Sequence, residues 1–192
     1  MNLEQTSAPS VEPVATSVMK DWMRVDSSDE DTLIGSLAAA ARSYFEMSTR
    51  RQLITATWVY KITDFPSGEI VLPISPVQSV THIKYYDNDD SLQTWTASDY
   101  VLDKSSTPAR IRPAANKDYP SDNRGEPYDI AITFVAGYGD AASDCPDGAL
   151  TAIKLLAANW FENRESNAPI TLTPVPMALD ALMLQFWDGT VT

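Results

Sequence analysis

A single cysteine, Cys145, is all the thiol chemistry this chain has, which excludes an intramolecular disulfide and any metal site built on several cysteines. Histidine is as scarce. His82 stands alone in SVTHIKYYD, where it shares a strand face with Lys84 and points to solvent. A catalytic histidine needs an orienting acid and a nucleophile, and no companion motif supplies them. Positive charge is also in short supply: 14 Lys and Arg stand against 26 Asp and Glu, a net charge of −12. Arg50 and Arg51 form the one adjacent basic pair, so tight or sequence-reading binding to nucleic acid has no visible footing. The phosphate-cradling patterns GxGxxG and GxxxxGK[ST] are missing. No stretch approaches the roughly 18 uninterrupted apolar residues of a membrane span. The start MNLEQTSAPSVEPVATS has neither a basic nor an apolar leader region. These absences predict a protein made in a cytoplasm, without membrane, metal or cofactor.

What is there is an ordinary globular composition, 44% hydrophobic and 21% charged, over 192 residues, enough for one domain with arms. The acidic excess is uneven. Residues 53–147 carry 14 acids and 7 bases, more than half of it. Such a surface suits solubility, and it also suits a channel wall that DNA must pass without sticking.

Helical periodicity appears twice. Leu33, Ile34, Leu37, Ala41, Tyr44 and Phe45 recur after the acidic run Asp26 to Asp31, whose carboxylates favour a helix start. Leu150, Ile153, Leu156, Ala157, Trp160 and Phe161 form a second apolar face after CPDGAL. A shorter segment, SVMKDWMRV, places Val18, Trp22 and Val25 on one side and reads as a small packing helix. The alanine run Ala38 to Ala41 offers a smooth surface to a neighbouring helix or subunit.

Between the helices the period changes to two. Ile54, Ala56, Trp58, Tyr60 and Ile62 alternate with polar partners, and Ile130, Ile132 and Phe134 share one face of the last strand. EIVLP, SPVQSVTHIKYYD, LQTWT, DYVLD and ARIRP read as short strands, with DNDDS as a hairpin turn. Prolines at 73, 76, 108, 113, 120 and 127 keep these strands short.

Three further clusters invite chemistry. Cys145 lies at a helix entrance, where a thiolate can be stabilised, but its one possible histidine partner is on a distant strand. Asp87, Asp89 and Asp90 crowd a turn without the glycine and terminal glutamate of a calcium loop, which favours a solvated hairpin. GYG at 137–139 is followed by Asp140, so a strand-ending turn accounts for it better than a phosphate cradle. Glu162 and Glu165 flank Arg164 as an ordinary helix end. Catalytic, cofactor and metal residues are therefore expected to be none.

Several ordered pieces carry a resemblance: EPV, KDWMRVD, DEDTLI, AAARSYFEMSTRRQLI, IVLPISPVQSVTHIKYYD, SDYVLD, ITFVAGYGD, CPDGALTAIKLLAANWFENRE and VPMALDALM. Their order and spacing, over roughly residues 12–184, resemble the head-tail connector (adaptor) proteins of tailed bacteriophages and gene-transfer particles. The resemblance implies an α+β fold, a small helical bundle of two main helices plus short terminal helices with a β-rich insertion between them. Residues 1–15, polar and proline-bearing, read as a flexible arm that orders only on contact with something else, and the connector domain is expected at 16–165, with helices over 17–25, 31–48 and 148–165 and the insertion over 53–138. A linker and C-terminal arm follow at 166–192. The resemblance further implies a structural virion protein of the neck, at the head-tail interface. There it is a subunit of a ring, usually of twelve copies, that joins the portal of the DNA-filled head to a stopper or tail protein while DNA passes through.

On that reading, portal docking falls to Leu179, Leu182, Met183, Phe186 and Trp187, large apolar side chains after a proline-punctuated linker. Subunit contacts fall to Arg42, Arg50 and Arg51, set against the acidic middle of a neighbour. Two other classes compete. A β-rich ligand- or carbohydrate-binding module of a virion would use Trp58, Tyr85, Tyr86, Trp95 and Tyr100. A metal-dependent hydrolase would use paired carboxylates and lose activity on chelation.

Overall fold

The computed structural model describes residues 2–163 and 177–187. The chain divides into two units, each assembled from separate stretches of sequence. One comprises Met1–Ser10 and Thr55–Tyr138, and the other Val11–Ile54 and Gly139–Thr192.

The first unit is built mainly of β-strands. Strands β1 (Asn2–Ser7), β2 (Ala56–Ile62), β8 (Ile130–Ala136), β4 (Val77–Tyr86) and β5 (Leu92–Trp95) form an antiparallel sheet in that spatial order. A second sheet, β3 (Ile70–Val71), β7 (Arg110–Pro113) and β6 (Tyr100–Asp103), contributes its inner face to the same core. The alternation in β8 does what period two requires: Ile130, Ile132, Phe134 and Ala136 are buried, and the residues between them are half-exposed. Trp58, Tyr60 and Ile62 of β2 lie on that core face. Register agrees, with Trp58 opposite Phe134 and Tyr60 opposite Ile132.

The β-rich part is larger than a small helical bundle with an insertion suggests. Two sheets with a shared core make it a body of its own. Residues 2–7, expected as part of an arm that orders on contact with something else, pair in register with β2. The physical reason is that β2 has an open edge after β8 takes its other side. Leu3 reaches the core, and the Thr6 hydroxyl donates to the Thr57 carbonyl (3.3 Å).

The second unit is helical: α1 (Thr16–Met23), α2 (Asp31–Thr49), α3 (Asp147–Glu162) and α4 (Met177–Leu184). Ile34, Ala38, Ala41, Phe45 and Thr49 form the buried stripe of α2, at i, i+4, i+7, i+11 and i+15. Ala149, Ala152, Ile153, Leu156 and Ala157 face it from α3. The small residues of both stripes let the two helices approach closely, so the alanine run serves a helix of the same chain. Leu33 and Tyr44, expected inside, are exposed because the stripe runs through Ile34, Ala38 and Ala41 and leaves them on its flank. In α1 the expectation is also turned: Met19 is fully buried, whereas Val18 and Trp22 are each 46% exposed.

Candidate functional site

The residues with chemical potential are each held in structural roles. The Nε2 of His82 lies 3.1 Å from the Thr133 hydroxyl on the adjacent strand. Partial desolvation, with Lys84 nearby, lowers its pKa. Cys145 is buried, and burial, with Asp144 and Glu46 adding to it, pushes its thiol up to about 11. That is the reverse of an activated nucleophile. The Asp87 carboxylate accepts from the amides of Ser91 (2.9 Å) and Asp89 (3.0 Å) and from Gln93 Nε2 (2.7 Å). Those bonds hold it below the usual carboxylate range and make it the organiser of its own hairpin turn. Among the described residues, no group of three or more His, Cys, Asp or Glu is placed to hold a metal. Also among them, no helix is long and apolar enough to cross a membrane.

At the GYG turn, Gly139 pairs with Ile54 in a parallel bridge, and a Cβ on it would overlap the Asp144 carboxylate. Asp144 in turn accepts from the Ala141 amide (3.0 Å), so the turn already holds a negative group where a phosphate cradle would need free donors. Glu165 lies outside the described residues.

Most of the aromatic side chains that would line a sugar site are built into the β core. Trp95 and Tyr85 are buried, with Phe65 edge-on to both (5.6 and 5.8 Å), and Tyr100 and Tyr119 close around Trp95. A cleft of about 470 Å³ opens beside them, rimmed by Asp99, Asp118 and Asp122. Tyr86 is exposed but lies under the Arg124 guanidinium (5.1 Å).

Two of the three arginines expected at subunit contacts, Arg42 and Arg51, are engaged inside their own unit. Arg42 makes a two-pronged pair with Glu12 (2.7 and 3.2 Å) and a further bond to Glu46 (2.7 Å). Glu46 also accepts from the Leu53 amide (3.0 Å) and Gln52 Nε2 (2.9 Å), which fixes the exit from α2, and burial raises its pKa. Arg50 ends α2 in the left-handed conformation (φ 56°). Arg51 donates from Nε to the Phe186 carbonyl (2.9 Å).

That bond ties the C-terminal segment to the body. Leu179 is 2% exposed, and Phe186 meets Phe45 edge-on (5.4 Å) and rests against Gly148. Of the five residues expected to dock on a portal, these two face inward, Leu182 and Met183 are half-buried, and Trp187 is exposed. The expected linker, 166–176, lies outside the described residues.

Between α4 and the last turns of α2 lies a cleft of about 490 Å³, lined by Tyr44, Ser48, Asp180, Met183, Leu184 and Trp187. Leu184 is 64% exposed on its rim, and Met47, on the last turn of α2, is 70% exposed. Across the unit, Lys154 of α3 sits over the Trp22 ring (5.0 Å). Sequence reasoning named Met183 and Trp187 of the cleft as docking residues but did not find the α2 wall opposite them, nor the α1 surface. It assigned Tyr44 and Trp22 to packing because an apolar side chain at helical spacing looks the same whether it meets its own core or another protein.

Comparison with known proteins adds to this geometry. No protein-family model matches the chain, and no curated protein does. Solved structures do match. A chain in the neck of an empty gene transfer agent (GTA) particle, computed with C6 symmetry, is 25% identical with a TM-score of 0.83; the match covers 100% of this chain and 98% of that one. A chain in the virion of a native GTA particle is 24% identical (TM-score 0.81), and one in the neck of a native GTA particle, computed with C12 symmetry, is 24% identical (TM-score 0.80); both matches cover 100% and 98%. From end to end, this chain has the fold of a gene-transfer-agent neck protein.

Proposed function

We propose that this chain is a structural protein of the neck of a phage-like particle, acting as the head-tail connector (adaptor) subunit that joins the portal to a stopper or tail protein. The observation that carries the reading is the full-length match, covering 100% of this chain and 98% of a neck protein at 25% identity. A likeness confined to one unit would speak only for a shared motif. The rotational symmetry of those necks supports a ring of copies, with twelve as the working number. The engagement of each candidate catalytic group in packing or turn geometry favours a non-enzymatic role. An acidic wall would let DNA slide through without being held.

Portal docking is proposed for the C-terminal arm, and two experiments test the reading. Particles made without this protein are expected to show heads that carry no tails in electron micrographs; complete particles in its absence would sink it. A chain lacking residues 178–192 is expected to lose portal capture in a pull-down while keeping its β-sheet circular dichroism. Capture by the folded truncated chain would remove the arm from that role.

A further inference from the structure

The α1 surface and the α2–α4 cleft of the helical unit sit at opposite ends of one helix. α1 lies on the start of α2: a Cβ on Gly35 would come within 3.2 Å of the Thr16 hydroxyl, and Lys20 pairs with Asp31 (2.7 Å). α4 lies on its end, through Phe45 and Arg51. A helix of 19 residues is about 28 Å long, so the α1 face and the cleft beside α4 are separate patches. They also differ in kind. The first carries the half-exposed Val18 and Trp22 with a cation, Lys154, over the indole; the second is a largely apolar cleft with a carboxylate, Asp180, on its wall.

We infer that the α1 face of one copy docks into the α2–α4 cleft of the next, with Trp22 and Val18 filling the cleft and Lys154 meeting Asp180. Three features select a second copy as the occupant. The two patches pair apolar side chains with apolar side chains and a cation with a carboxylate, yet belong to the same chain. Two unlike patches that meet in this way make a heterologous contact, the kind that closes into a ring under rotation. Tryptophan desolvated beside a matched ion pair is also a frequent centre of interface energy. The inference rests on the ring reading above and deepens it. It takes Asp180, Met183, Leu184 and Trp187, two of them named above for portal docking, and leaves Leu182 with the exposed Ala181 and Gln185 to the portal.

The test uses the full chain with Trp22→Cys and Leu184→Cys together, oxidised gently and run without reductant beside the wild type; Cys145 is buried and stays silent. The expected result is a covalent ladder of oligomers for the pair and none for either single variant. Trp22→Ala is expected to weaken wild-type self-association about tenfold or more in native mass spectrometry with an unchanged unfolding temperature. Lys154→Glu and Asp180→Lys should each weaken it, and the two together should restore it. Wild-type rings that survive Trp22→Ala, with no ladder from the cysteine pair, would overturn this contact and leave the ring standing. A wild type that stays monomeric, with no trapped cross-link at any concentration, would overturn the inference, while the particle and portal experiments would still decide the connector role.

Discussion

Asp129 keeps its charge beneath the surface because Arg124 follows it there. The guanidinium donates from Nε and Nη2 to the two carboxylate oxygens (2.9 and 2.7 Å), and the Glu126 amide adds a third bond (3.1 Å). The same arginine bonds to Asp90 and covers Tyr86, so one side chain pins the 122–129 loop to the hairpin turn. These bonds, opposed in part by desolvation, hold the Asp129 carboxyl below its usual range. The sign follows from linkage: a depressed carboxylate contributes stability that is fully present above its unfolded value, about 3.9, and is lost as pH falls through the folded one. Asp129→Asn is therefore expected to lower the unfolding temperature at pH 6 and to flatten its decline as pH falls below about 4. Equal declines for the variant and the wild type would refute the assignment. The sequence showed Asp87 to Ser91 as a solvated turn and was right about the turn. It could not show the arginine that arrives from 34 residues away, because ion pairing between loops leaves no periodic trace.

At the scale of elements, legibility tracked periodicity. The strands β2 and β8 and the helices α2 and α3 announced themselves through apolar residues at spacing two or 3.6, and their core faces are largely those residues. Short elements did worse. Eight residues of α1 fit two rotations about equally well, and the fold chose Met19 over Val18 and Trp22. β1 carries so little apolar content, Leu3 alone, that its sheet membership comes from the open edge of β2 rather than from its own sequence. After α4, Phe186 meets Phe45 edge-on and rests against Gly148, which makes the attachment easy to test. Phe186→Ala is expected to cost the 177–187 segment about 1–3 kcal/mol of local protection. Hydrogen exchange would read this as faster exchange there and unchanged rates in β8; unchanged exchange in the segment would mean that Phe186 is not what holds it.

For the whole molecule, charge decides how copies meet. A chain of net charge −12 repels its own kind over a Debye length, which is about 30 Å at 0.01 M salt and about 8 Å at 0.15 M. The surfaces assigned to self-contact are mainly apolar. Raising salt from about 0.02 to 0.3 M should therefore favour oligomers, by screening the repulsion and leaving apolar burial intact. Light scattering at fixed protein concentration would check this, and dissociation on adding salt would show that ion pairs dominate the contact. The change of period after Leu53 was legible in the sequence of a chain whose β unit resumes at Thr55 and ends at Tyr138. That the same unit also claims the first ten residues was not, since nothing local marks a strand whose partner lies fifty positions away.

The interleaving also sets a timetable for synthesis. The helix α2 leaves the ribosome about a hundred residues before α3, so at roughly 10 residues per second Ile34, Ala41 and Phe45 wait about ten seconds for the helix that covers them. The strand β1 waits about half as long for β2. During that interval the nascent chain presents a greasy helix and a lone strand while a whole β body is still being made. A cell producing many copies at once has reason to keep a chaperone close to this message.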